Sequence, residues 1–167
     1  WAVTPQRGVR SVYYGRSGNT GAKFFFASNQ RDRSTLDLYE ADATTRTVRE
    51  VARSDGTVTS WIIGSNHQLA GRGRQLGRED GADLAVELLQ PDGSWRLMKK
   101  VGGFDSYWVS RLDPVAAKAW VQTNIGRDKA VLAEVDLVTG QETLLASHPD
   151  VDLSYGLFPA GTGGPVG

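Results

Sequence analysis

The chain has 167 residues, with 19 Lys and Arg against 19 Asp and Glu, two His, 20 Gly, five each of Trp, Tyr and Phe, and no Cys. Balanced charge argues against a nucleic-acid partner, whose nonspecific affinity needs a basic excess, and the missing thiols exclude disulfides, zinc–cysteine sites and cysteine nucleophiles. A chain of this length buries roughly 70% of its unfolded surface, enough for a core without staples, and no apolar run reaches the about eighteen residues that cross a bilayer.

Short runs rich in Val, Leu, Phe, Trp and Tyr alternate with Gly, Asp, Asn and Pro clusters, which predicts an all-β chain. The expected strands are Val9 to Tyr14, Ala22 to Ser28, Thr35 to Asp42, Arg46 to Arg53, Val58 to Ile63, Gln68 to Arg74 and Ala82 to Gln90. They continue as Ser94 to Val101, Ser106 to Leu112, Lys118 to Thr123, Ala130 to Leu137, Gln141 to Ser147 and Leu153 to Phe158. No segment carries a capped stripe of 3.6-residue period. Leu84 to Leu89 has helical composition, but Pro91-Asp92-Gly93 ends it as a turn does.

Laid against itself the sequence repeats at a step of 47 residues, with aromatics at Tyr14, Trp61, Trp108 and Tyr155 and acids at Glu40, Glu87 and Glu134. Four strands in a step of this size make one β-propeller blade. A small twisted sheet cannot cover both apolar faces alone, so blades stack about an axis, with the recurring aromatic expected to fill the gap between neighbours. Three complete blades are expected, 9–53, 57–101 and 106–147, then the first strand of a fourth at 153–158. Propellers close with about four to eight blades. The chain is therefore expected to be an incomplete propeller, completed by further blades of a longer chain or by self-association through exposed blade faces. Because it opens on Trp1 rather than Met, its start is expected to be trimmed, and neither cytoplasm nor periplasm is selected.

No catalytic, cofactor or metal residue is assigned. Gly15-Arg16-Ser17-Gly18 lacks the Gly-x-Ser-x-Gly spacing of a nucleophile elbow and lies between two strands, so Ser17 is a hairpin residue. His67 and His148 fall at unrelated positions of two repeats and read as surface or loop residues. His148 with Asp150 and Asp152 is the one local cluster with metal-binding atoms, short of the convergent set a metal needs. Glu40, Glu87 and Glu134 read as one structural position served three times. Arg31-Asp32, Arg78 with Asp80, and Arg127-Asp128 read as exposed ion pairs at loop tips on one face of the disc. Gly71-Arg72-Gly73-Arg74-Gln75-Leu76-Gly77 has the wrong final spacing for a dinucleotide fingerprint. Arg72, Arg74 and Arg78 are followed at once by Glu79, Asp80 and Asp83, which describes a solvated hairpin. Asp92-Gly93-Ser94-Trp95 has the letters of a sialidase-type Asp box without its separations.

Arg111-Leu112-Asp113-Pro114, Lys118 to Asn124, Gly126-Arg127-Asp128 and Leu132 to Leu145 together resemble a blade of the prolyl oligopeptidase family of serine peptidases, in its acylaminoacyl-peptidase-like branch. His148-Pro149-Asp150-Val151-Asp152, Phe26-Ala27-Ser28-Asn29 and Leu36 to Asp42 extend the likeness, which covers about Val9 to Phe158. It departs from the blade pattern where a Pro-Asp-Gly turn stands as Asp113-Pro114-Val115-Ala116 and Phe158-Pro159-Ala160-Gly161. The resemblance implies a non-catalytic propeller segment that restricts entry of short peptides to a separate α/β-hydrolase domain carrying Ser, Asp and His. A stand-alone bacterial propeller that docks proteins or envelope components is the alternative. A carbohydrate-active propeller is disfavoured because no paired carboxylates stand apart from the repeat.

Overall fold

In the computed structural model, every regular element of the described residues is a strand, as the absence of a helical stripe requires. The structure describes residues 1–4, 6–19, 21–77, 83–154, 158 and 165. The first blade holds β1 (Ser11–Ser17), β2 (Lys23–Ser28), β3 (Asp37–Asp42) and β4 (Thr47–Ala52). The second holds β5 (Val58–Ile63), β6 (Leu69–Gln75), β7 (Leu84–Leu89) and β8 (Trp95–Val101). The third holds β9 (Tyr107–Asp113), β10 (Lys118–Thr123), β11 (Val131–Asp136) and β12 (Glu142–Ala146). Each blade is an antiparallel meander with its strands ordered as in the chain. Contacts between blades run from β1 to β5 and from β5 to β9, so the first strand of each blade lies innermost. β4 and β12 are the exposed outer edges of their blades.

Local chemistry fixes the turns. At each turn from third to fourth strand one residue takes a left-handed φ: Arg46 at 56°, Gly93 at 84° and Gly140 at 75°, again at intervals of 47. Asp42 accepts the N–H groups of Thr44 and Thr45 at 2.8 and 3.1 Å, and Asp136 those of Val138 and Thr139, both at 2.8 Å. These backbone donors favour the charged form and hold both carboxyls below the ordinary range. β1 extends to Ser17, beyond the expected Tyr14, because a bulge at Tyr14 lets pairing resume from Gly15 with Phe25 to Ser17 with Lys23. The expected strand at Leu153 to Phe158, with the repeat aromatic Tyr155, lies largely outside the described residues.

Two clefts form where blades stack. Phe25, Ala27 and Leu38 of the first blade meet Trp61, Ile63 and Leu69 of the second. On the other face of the second blade, Ile62, Ala70 and Leu88 meet Leu112, Ala119, Val121, Ala133 and Val135 of the third. The outward face of the first blade stacks Phe24, Phe26 and Tyr39 beneath Val3.

The recurring aromatics are not equivalent, contrary to the expectation. Tyr14 faces the second blade and its hydroxyl meets the Trp61 N–H at 3.4 Å, whereas Trp61 faces back toward the first blade and its indole donates to Leu36 O at 3.0 Å. Tyr107 and Val109 pack into the second cleft, so Trp108 between them points to the outward face, where it is 64% exposed. The reason is parity. Side chains alternate with period two, so a middle blade offset by one residue against the 47-residue step presents the opposite face at each step position, and bulges at Tyr14, Thr59 and Ser110 add local shifts.

Candidate functional site

The same parity corrects the reading of the three glutamates. Glu40 pairs in register with Phe25 and faces the first cleft, while Glu87 pairs with Arg72, which is itself opposite Trp61, and faces that cleft from the other side. Glu134 alternates with Ala133 and Val135 and faces outward, where Lys118 meets it at 2.5 Å. They are two positions, not one.

The first cleft is consequently polar. The Glu40 carboxylate receives Arg49 Nε at 2.5 Å and the Ser17 hydroxyl. The Arg49 hydrogen bond, assisted by Ser17 against the cost of burial, holds Glu40 below the usual carboxylate range. Glu87 takes Arg72 Nε at 2.7 Å on one oxygen and Arg74 Nε at 3.2 Å on the other, and the Arg72 guanidinium lies 4.2 Å above the Trp95 ring. Arg72 and Arg74 are therefore one jaw of a part-buried carboxylate clamp rather than the solvated hairpin expected. The glycines on either side of Arg72 answer a packing need, since a Cβ on Gly71 would come within 2.8 Å of Glu87 O and one on Gly73 within 2.5 Å of Ser60 Oγ. Close backbone approach explains the Gly-x-Gly spacing without a nucleotide.

Ser17 is 5% exposed and its hydroxyl points at Glu40, so it offers no open nucleophile. His67 occupies the turn after β5 with φ 57°, and its carbonyl accepts the Gly18 N–H at 3.3 Å. It lines a groove of about 530 Å³ together with Ser17, Glu40 and Arg49. His148 and Asp150 are exposed and bonded to each other through the Asp150 N–H, while Asp152 caps the Ala130 N–H at 2.6 Å. Among the described residues no group of three or more acids and histidines is placed to hold a metal ion.

The loop-tip arginines behave differently from one another. Arg31 does not pair with its neighbour Asp32 but clamps fully buried Asp37 with Nε at 2.5 Å and Nη2 at 2.9 Å, and Ser54 donates its N–H to the same carboxylate at 2.8 Å. Burial pushes the Asp37 carboxyl up, but Arg31 and the Ser54 N–H outweigh it and leave it below its ordinary value. Arg127 does not pair with Asp128 either: it lies 3.9 Å from Glu142, and Asp128 meets Lys129 at 3.3 Å. Arg78 and Asp80 lie outside the described residues.

The second cleft has an apolar floor and opens at the end of the sheets where the β5–β6, β7–β8, β9–β10 and β11–β12 turns gather. A groove of about 600 Å³ lies there, floored by Ala70, Leu88 and Leu112 and walled by Leu89, Pro114 and Val138. Ser65 N–H to Leu112 O at 2.8 Å ties the two blades beneath it. Arg96 stands at the groove with Nη2 bonded to Leu137 O at 2.8 Å, and among the described residues no Asp or Glu lines the groove. Deeper in the same cleft, burial pushes the Tyr107 hydroxyl up, with the Glu142 charge adding to it. The sequence held no signal for this groove, since its residues come from four turns and no motif joins them.

On the outward face of the third blade, Trp120 is buried beneath Phe158, whose ring lies 5.9 Å away at 61°. Its indole N–H has no acceptor among the described residues.

No family model and no curated protein matches the chain. Among solved structures it is similar to an oligogalacturonate lyase from Vibrio parahaemolyticus, with TM-score 0.51 and 14% identity over 85% of this chain and 42% of that one. An oligogalacturonate lyase in complex with manganese matches with TM-score 0.49 and 15% identity, over 81% of this chain and 40% of that one. The chain thus spans about two-fifths of the length of the structures it matches. At 14% identity the first likeness is one of fold, and the fold is a β-propeller.

Proposed function

We propose that the chain is a non-catalytic propeller segment of a prolyl-oligopeptidase-like serine peptidase, restricting access of short peptides to a separate α/β-hydrolase domain. The observation that carries this reading is the third blade. The stretch from Arg111 to Leu145 that resembles the peptidase family forms β9 to β12, with Asp113 and Asp136 as its turn caps and Val121 and Ala133 at its centre. The buried Trp120 indole supports continuation of the wheel. Trp61 shows how an indole of one blade reaches a backbone carbonyl of its neighbour, and a further blade against the third gives Trp120 the same kind of acceptor.

Gating follows from packing. A rigid ring of blades admits only chains thin enough to pass, so selectivity is by size and precedes the acyl-transfer chemistry supplied elsewhere. Ser17, hydrogen-bonded to Glu40 inside a cleft, has no part in that chemistry. The test uses the full reading frame that carries this segment. Its product should hydrolyse short peptides but spare an unfolded carboxymethylated protein, and removal of 1–167 should admit the protein. Equal cleavage of both substrates by the intact product would overturn the gating role.

A further inference from the structure

The groove between the second and third blades opens above their shared core and combines three features. Its floor is apolar and braced, its wall includes Val138, 80% exposed at a turn tip, and its one charged lining residue is Arg96. Neighbouring Val115 is 85% exposed on the adjacent turn. Turn tips are ordinarily polar, and apolar ones gathered about a cavity mark a contact surface. The volume, about 600 Å³, lies in the range of ligand sites.

We propose that this groove binds the carboxy-terminal end of a peptide, with the terminal carboxylate on Arg96 and the last apolar side chain between Leu89 and Val138. Charge complementarity selects the occupant. One guanidinium nitrogen donates to Leu137 O, which holds the side chain at the groove and leaves its other donors for an anion, and among the described residues no lining carboxylate competes. A fatty acid also carries a carboxylate on an apolar tail, but the rim holds the amides of Asn66, Gln68 and Gln90. Asn66 Nδ2 reaches only Gln68 Oε1, at 3.5 Å, and Gln90 Nε2 reaches Leu88 O at 3.3 Å. These loosely held amides match the peptide groups next to a terminal residue, and a hydrocarbon has no use for them. The site goes beyond the gating role and involves no hydrolysis.

The test titrates an amino-terminally labelled Gly-Ser-Gly-Val-Leu peptide into the 167-residue chain and follows fluorescence anisotropy, with the carboxy-terminal amide as the paired ligand. The free acid should bind at least about tenfold tighter than the amide, as expected for a charge-assisted hydrogen bond. Arg96→Gln should bring the acid down to the level of the amide and leave the amide unchanged. Val138→Asp, at an exposed tip, should weaken both ligands, and the acid more because the new carboxylate repels it. Equal binding of acid and amide would overturn the proposal, as would saturation that survives both substitutions or no saturation at all. Displacement of the peptide by decanoate at lower concentration than by unlabelled peptide would assign the groove to a lipid. Sedimentation showing self-association that Val138→Asp abolishes would assign it to a second copy.

Discussion

In the first cleft Glu40 and Glu87 lie between two blades with Arg49, Arg72 and Arg74, and the aromatic rings of Trp61 and Trp95 pack around the charges. In the second cleft the same depth is filled by Leu88, Leu112, Val121 and Val135, and the one cross-blade ion pair given by Lys99 and Glu142 sits toward the outer strands. Both clefts arise from the same four-stranded unit. The difference shows that the repeat dictates the unit while strand parity dictates what each unit presents to its neighbour. An acid at the same sequence step faces forward in one blade and backward in the next, so two acids converge on one cleft and none reaches the floor of the other.

The largest expected effect tests the apolar side. Leu112 is 2% exposed and sits at the centre of the second cleft. Leu112→Ala should cost about 3 kcal/mol in urea unfolding, the transfer loss plus an unfilled cavity. Glu87→Gln should cost less, about 2 kcal/mol, because it strands Arg72 and Arg74 in a site that water reaches in part. If Glu87→Gln cost more than Leu112→Ala, the ranking of the two clefts would be reversed.

Acid separates the clefts further. Glu40 and Asp37 both ionise below their ordinary range when folded, so their contribution to stability is present above the unfolded carboxylate pKa, roughly 4, and is lost as pH falls through the lower folded values. Hydrogen exchange between pH 5 and pH 3 should therefore show the amides of Phe25 and Leu38 losing protection before those of Val121 and Ala133, after correction for intrinsic rates. Simultaneous loss would mean that the blades do not respond separately. Trp61→Phe keeps most of the ring but deletes the bond to Leu36 O and should cost about 1 kcal/mol. The smallest effect is a gain. Arg46 holds φ 56° where the other two blades use Gly93 and Gly140, so Arg46→Gly should stabilise by up to about 1 kcal/mol in the same assay.

Most of the fold was readable from residue order, and the reason is local. Val58–Ile63 and Lys118–Thr123 have the same bounds in sequence and structure because turn formers stand directly at their ends. Asp42 and Asp136 stand at the ends of their strands ahead of turn residues, where a carboxylate caps the amides two and three residues on. What the residue order hid was which way side chains point. A bulge such as Ser110 leaves no compositional mark, yet it reverses every later side chain of its strand. Arg31 was misread for a related reason, since the nearer acid Asp32 turns to Ser34 and the true partner, Asp37, opens β3 at the end of the same loop. The second-cleft groove is assembled from turns of two blades and had no contiguous signature.

The central functional claim is that this segment works beside a reactive serine it does not contain. The most direct measurement treats the full reading frame with a fluorophosphonate probe and maps the adduct by mass spectrometry. The account predicts a single labelled serine, within a Gly-x-Ser-x-Gly sequence beyond Gly167, and an unlabelled 1–167. An adduct on Ser17 or any other serine of this segment, or no labelled serine anywhere in the full product, would contradict it.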